Sequence, residues 1–293
     1  MKPALKEAGL VIPEPVGAEG TRASGATVSQ DLLVLTKARL STLVLITTFV
    51  GFCLGSPGGI SWVALLHCLL GTALVAAGAA VFNQVLERGP DALMKRTVDR
   101  PLPAGRMSLR FAVGFGAAIS LVGTAWLGLF TTGLAAGLAV LTWLTYVAAY
   151  TPLKRLSSTC TLVGAVSGAI PPVIGYVAAG RGLDAMAWFL FGVLFLWQMP
   201  HFLAINWLYR EEYERAGFVM WSNGDASGVR SAAISLAFAL ALAGLTVGWV
   251  PSGAFTPVYT AGALVLGAVW CGAAIHWLIR RDRVRARLLF FLS

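Results

Sequence analysis

Asn83, Glu87 and Asp91 stand four residues apart and are followed at once by Lys95, Arg96 and Arg100, with Arg88 among them. Two carboxylates and an amide beside so many cations suit one substrate class well. A diphosphate is a trianion that proteins hold partly through Mg²⁺, which takes one or two carboxylates plus phosphate oxygens, and partly through Arg and Lys. A solvated, salt-bridged membrane loop would have a similar composition, because loops beside membranes are commonly basic. The element that must position the set is an apolar run from Ile60 to Val85, long enough to cross a bilayer. Asn83 and Glu87 then fall near the end of a buried helix, one turn apart on one face. Gly89-Pro90 is expected to break that helix and let the chain swing Asp91 back toward the same point.

The composition says what surrounds this set. The chain has 293 residues, 57% hydrophobic and only 12% charged, where a soluble protein of this size carries roughly a quarter charged residues. Lipid must therefore replace water around most of it, and the fold is expected to be all-α, a polytopic transmembrane bundle. A β-barrel would show alternating segments of about ten residues, whereas these apolar runs are continuous and twice as long. The net charge of +9 does not indicate nucleic acid, because the basic residues are confined to junctions between apolar runs, as membrane topology and anionic headgroups require. Cys53, Cys68, Cys160 and Cys271 lie singly in apolar segments, which supports neither a disulfide framework nor a zinc site.

Residues 1–30 are rich in Gly, Ala, Pro and Glu and read as a flexible cytoplasmic tail ahead of a membrane domain over 31–293. Spans are expected over Leu32–Leu54 and over residues 60–86, 107–128, 132–150, 158–178, 184–207, 230–249 and 257–279. The third and fourth make a tight hairpin through Thr131-Thr132-Gly133. Pro171-Pro172 should kink or unwind the fifth, and Pro251-Ser252-Gly253 joins the last two. Beyond Arg287, the apolar stub Leu288–Ser293 is too short to cross, which gives eight complete spans plus a truncated ninth. Of the 22 Lys and Arg, only Arg181 falls in a loop after an odd-numbered span. The positive-inside rule therefore puts the N terminus and the polar loops on the cytoplasmic side.

A second polar cluster, Tyr209 to Arg215, follows span six as the first follows span two, four helices apart. Two similar halves would bring the clusters together across a cavity, where a diphosphate could be held by more than one Mg²⁺. An anion transporter would also place charges at the cytoplasmic side, although such proteins more often carry a charge at mid-membrane, and none occurs there.

Four motifs in order, Asn83-Gln84-x-x-Glu87-x-x-x-Asp91-x-x-Met94-x-Arg96-Thr97-x-x-Arg100-Pro101-Leu102, Tyr150-Thr151-Pro152-Leu153-Lys154-Arg155, Gly168-Ala169-Ile170-Pro171-Pro172-x-Ile174-Gly175, and Trp197-Gln198-x-Pro200-His201-Phe202 through Tyr209-Arg210-Glu211-Glu212-Tyr213-x-Arg215-Ala216-Gly217, resemble the UbiA-type intramembrane prenyltransferases. Within that family they resemble the branch that farnesylates protoheme IX, from about Leu32 to the end. The resemblance implies a nine-helix inner-membrane bundle that uses Mg²⁺ to ionise farnesyl diphosphate. It also implies joining of the farnesyl carbon to a vinyl group of heme b, giving heme O for terminal oxidases or heme A synthase. By resemblance Asn83, Glu87 and Asp91 map onto the first metal-diphosphate motif. At the second motif, Tyr209 and Tyr213 occupy places where quinone-type relatives carry Asp, so Glu212 and then Glu211 are the expected acids. A relative that prenylates an aromatic quinone precursor is the alternative.

Lys95, Arg96, Arg100, Lys154 and Arg155, with Arg210 of the second cluster, are expected to hold phosphate oxygens; for Lys154 and Arg155 ordinary topology explains the charge equally well. Lys37 and Arg39, at a span entrance, read as topology signals. His201, beside Pro200 and near the second cluster, is the heme-facing candidate, with a hydrogen-bonded packing histidine as the alternative.

Overall fold

The computed structural model describes residues 27–249 and 256–293. All but the last few residues of the expected tail, and the Pro251-Ser252-Gly253 junction, lie outside the described residues. Thr27 caps α1 (Val28–Leu35), and α2 (Ala38–Gly55) follows after a break at Thr36 and Lys37. The expected single first helix is thus two. Lys37 takes a left-handed conformation, φ 49° and ψ 47°, and the Val34 and Leu35 carbonyls accept hydrogen bonds from Gln84 Nε2 at 2.8 and 3.0 Å. The break therefore leaves those carbonyls satisfied.

Ser61 caps α3 (Trp62–Ala92), which runs unbroken through Gly89-Pro90, contrary to the expected break there. Pro90 lies in the last turn, where a missing N–H forfeits one hydrogen bond at most, and Gly89 has no β-carbon to clash with the proline ring. Asp91 is consequently on the same helix as Asn83 and Glu87, two turns beyond the first. Helices α4 (Leu109–Phe130) and α5 (Gly133–Trp143) form the expected hairpin. The latter continues through a π-helical segment, Leu144–Tyr150, into a closing turn, α6 (Thr151–Leu153).

The double proline interrupts the fifth span as expected: α7 (Cys160–Ala169) gives way at Ile170 to α8 (Pro171–Ala178). All eight residues of α8 are buried, so the freed backbone groups face protein. Then come α9 (Ala185–Leu208), α10 (Arg210–Arg215), α11 (Val229–Gly248), α12 (Pro257–Arg280) and α13 (Arg283–Leu292). Among the described residues eight helical stretches are long and apolar enough to cross a membrane, and no strand occurs. At ten residues α13 is too short to cross, and its Ala286 and Leu289 are buried in a cluster with Trp207, Trp270 and Trp277.

The bundle presents apolar side chains outward, among them Leu121 (71% exposed), Leu129 (77%) and Val258 (81%), as a lipid-facing surface must. Inside, α8 packs closely on α2. A β-carbon at Gly51 would overlap the Pro172 carbonyl, and one at Gly175 the Thr48 carbonyl. A further apolar cluster of Met94, Cys160, Ala216, Phe218 and Met220 ties the loop after α3 to the start of α7 and the segment after α10. Gly175→Ala should accordingly destabilise the protein by about 1–3 kcal/mol, the usual cost of overpacking. Gly137→Ala, where a β-carbon meets nothing within 4 Å, should leave the melting temperature unchanged or higher. Thermal unfolding of the two variants in detergent checks the pair.

Candidate active site

Helix α3 sets Asn83, Glu87 and Asp91 at i, i+4 and i+8, so their side chains form one ladder near the end of a membrane span. All three residues are buried. An isolated carboxylate cannot remain charged in such a place without a partner, and each rung has one. Lys37 Nζ donates to Asn83 Oδ1 at 2.5 Å, Lys154 Nζ to Glu87 Oε1 at 2.6 Å, and Arg100 Nη1 to Asp91 Oδ2 at 2.5 Å. These cations come from three separate places: the α1–α2 break, the segment after α6, and the loop after α3.

Second contacts fix the geometry. Asn83 Nδ2 donates to Thr151 Oγ1 at 3.1 Å, and Thr151 Oγ1 donates to the Tyr146 carbonyl at 2.8 Å. The amide is thereby oriented with Oδ1 toward Lys37, whose ammonium also reaches the Tyr146 hydroxyl at 3.3 Å. Thr97 Oγ1 donates to the Asp91 carbonyl at 2.8 Å, which folds the loop back over the helix end and delivers Arg100. Lys154 lies over the Tyr150 ring at 4.5 Å and the Phe218 ring at 5.5 Å. Burial alone would depress its ammonium, but the Glu87 carboxylate holds it well above the usual lysine range.

The two polar segments meet at this end of the bundle. Arg96 donates to the Tyr213 hydroxyl at 3.1 Å and lies over the Tyr209 ring at 5.3 Å. The Val219 amide donates to the Lys154 carbonyl at 2.6 Å. Arg210 lies over Trp207 at 4.7 Å and pairs with Glu211 at 3.5 Å, while Glu211 itself is exposed. Glu212 is half-buried on α10, one residue before the tyrosine that Arg96 touches. Lys95 and Arg155 are exposed near the ladder's end. His201 lies elsewhere on α9, its Nδ1 2.6 Å from Ser293 Oγ and its ring against Trp197 and Phe290, so its contacts are with α13 rather than with the ladder.

Lys37, Tyr146 and Thr151 belong to the site without having been expected there. A lysine at a span entrance carries no sequence signal beyond topology, and only the break after α1 brings it to Asn83. The π-helical turn that aims Tyr146 is equally silent in the sequence, although such turns concentrate at functional sites.

One oxygen is left over. Asp91 Oδ1 is buried and has no hydrogen-bond partner. An orphaned carboxylate oxygen in line with a second carboxylate and an amide suits a hard, oxygen-seeking divalent cation. Among the described residues no three His, Cys, Asp or Glu side chains converge as a metal site. A cation on the ladder would therefore be shared at most between neighbouring rungs, one turn apart, and would complete its shell with ligand or water oxygens, as Mg²⁺ ordinarily does. The pairing itself is testable: Lys154→Met leaves Glu87 buried and uncompensated, which should cost about 3 kcal/mol, and adding Glu87→Gln should recover much of that loss. A double-mutant cycle on thermal stability measures the coupling.

The UbiA prenyltransferase family model matches residues 44–293. The protoheme IX farnesyltransferase of Solibacter usitatus (strain Ellin6076) is 40% identical over 275 residues, covering 90% of this chain and 94% of that protein. That of Opitutus terrae (strain DSM 11246 / JCM 15787 / PB90-1) is 42% identical over 279 residues, covering 93% and 92%. Among solved structures, a UbiA homolog from Archaeoglobus fulgidus bound to DMAPP and Mg²⁺ superposes with a TM-score of 0.67 at 15% identity, covering 89% of this chain and 97% of that one. An apo UbiA homolog from Aeropyrum pernix K1 gives 0.66 at 20% identity, covering 92% and 94%. With eight helical stretches among the described residues long and apolar enough to cross a membrane, a buried acid ladder and a matching family model over most of its length, this multi-pass membrane protein belongs to the UbiA prenyltransferase family.

Proposed function

We propose that the protein transfers a farnesyl group from farnesyl diphosphate to a vinyl group of heme b, giving heme O and diphosphate. The observation that carries this reading is the ladder of Asn83, Glu87 and Asp91, buried in an apolar bundle and matched rung by rung with cations. Such a site suits a polyanion attached to a hydrocarbon. Heme b, rather than an aromatic quinone precursor, is favoured as acceptor because relatives about 40% identical over most of their length carry the name protoheme IX farnesyltransferase.

In the proposed reaction the carbon–oxygen bond of farnesyl diphosphate breaks and the electron pair leaves with diphosphate. The vinyl π-electrons of heme b then form the new bond to the allylic carbon, and water adds to the adjacent carbon with loss of a proton, giving the hydroxyethylfarnesyl side chain. Lys154, Arg100 and Arg96 stand where departing charge would develop, and Lys95, Arg155 and Arg210 add to the positive field at the same end. Asn83, Glu87 and Asp91, with Glu212 and Glu211 from the second segment, would hold Mg²⁺, which when bound neutralises the leaving group. The surrounding apolar side chains would keep water from the cation until the carbon–carbon bond has formed. His201 is assigned to the heme side of the site on its position little more than two turns before the second polar segment.

The site is placed on the cytoplasmic face of the inner membrane, on the positive-inside bias that leaves Arg181 alone at the other end. Product would pass to heme A synthase or to terminal oxidase assembly. Purified protein supplied with heme b, farnesyl diphosphate and Mg²⁺ should yield heme O by mass spectrometry. Glu87→Gln and Asp91→Asn should each lower turnover by about a hundredfold, the scale on which losing one electrostatic group acts. Undiminished heme O from both variants, or a product that contains no heme, would overturn the reading.

A further inference from the structure

The three rungs of the ladder and their three cations stand one to one: Lys37 on Asn83, Lys154 on Glu87 and Arg100 on Asp91. We propose that these cations are exchangeable internal counter-ions, which couple the binding of divalent metal to the binding of diphosphate so that neither is held tightly alone. This rests on the diphosphate and metal site proposed above and goes beyond it, because a site built only to hold each ligand would not require their binding to be linked.

The charge count gives the reason. Two carboxylates and three cations leave the ladder with one net positive charge. A divalent cation alone would raise that to plus three and would have to displace ammonium and guanidinium groups whose nearest anions are the same ladder carboxylates that the metal would take. A trianionic diphosphate alone would lower it to minus two, beside carboxylates already buried. Both together bring the site to neutrality: the metal takes the ladder oxygens, and the displaced Lys37, Lys154 and Arg100 turn to the phosphate oxygens. Burial makes the difference large, because charges in a low-dielectric setting are poorly screened.

Lys37 is the residue on which this can be read most directly. Its partner is neutral, so removing it leaves no buried carboxylate unpaired, unlike removal of Lys154 or Arg100. Its ammonium makes two hydrogen bonds among the described residues, to Asn83 Oδ1 and the Tyr146 hydroxyl, lies over the Tyr146 ring at 5.9 Å and is attracted through space by Glu87 and Asp91, and it sits at a break between two helices. Its ammonium lies against the amide oxygen that a metal would use. Lys37 is thus a positioning residue that keeps the metal off until an anion arrives to receive its charge.

The experiment measures Mn²⁺ affinity by electron paramagnetic resonance on the detergent-purified full chain, with and without inorganic pyrophosphate, corrected for the metal–pyrophosphate complex in solution. In the unsubstituted protein pyrophosphate should tighten Mn²⁺ binding by about tenfold or more, and Mn²⁺ should tighten pyrophosphate by the same factor, since linkage is reciprocal. Lys37→Met should bind Mn²⁺ alone several-fold more tightly and show a smaller coupling factor. Lys37→Arg, which restores the charge, should return the coupling toward that of the unsubstituted protein. Equal Mn²⁺ affinity with and without pyrophosphate, or an unchanged coupling factor in Lys37→Met of unaltered melting temperature, would overturn the counter-ion exchange while leaving the diphosphate site standing. Failure of the unsubstituted protein to bind either probe would overturn both.

Discussion

Putting two carboxylates and an amide inside a bundle whose surface is made for lipid is the constraint that shapes this protein. Glu87 is 5% exposed and Asp91 0%, and an unpaired buried carboxylate costs several kcal/mol. The rest of the architecture supplies the remedy. The helix break at Lys37, the loop that Thr97 folds onto Asp91, and the segment beyond the π-helical turn each deliver one positive charge to one rung. Around the ladder, breaks in regular structure that are costly elsewhere in a membrane occur where they aim a cation.

The apolar packing serves the same end. The cluster of Met94, Cys160, Phe218 and Met220 clamps the loop after α3 to the segment after α10, which is why Arg96 of one polar segment can reach Tyr213 of the other. Close glycine contacts between α2 and α8 hold the first span against the broken fifth, and with it the position of Lys37 at the head of α2. A substitution far from the ladder can therefore loosen the site through the spacing of its helices.

Much of this was legible in the sequence, for physical reasons that can be named. The number of candidate spans follows from hydrophobic length, and the interruption at Pro171-Pro172 follows from proline stereochemistry. The one-turn spacing of Asn83 and Glu87 follows from helical periodicity. Gly89-Pro90 misled, because a proline in a last turn costs little when the residue before it has no β-carbon; the helix carries Asp91 on the same face instead of returning it through a loop. Lys37 was hidden because a basic residue at a span entrance has the same sequence signature whether it serves topology or a site. His201, near the second cluster in the chain, turns its ring toward Phe290 and Ser293, a contact between residues about ninety apart that no local pattern encodes.

The account's central claim is that the diphosphate is held against the α3 ladder, with metal on the Asp91 oxygen that now lacks a partner. The most direct measurement is a structure of the protein with Mn²⁺ and a farnesyl thiodiphosphate analogue, located by anomalous scattering. The account predicts manganese within coordinating distance of Asp91, with the diphosphate between Lys154 and Arg100. Manganese and diphosphate found away from α3, for example beside Arg181 at the opposite end of the bundle, would contradict it.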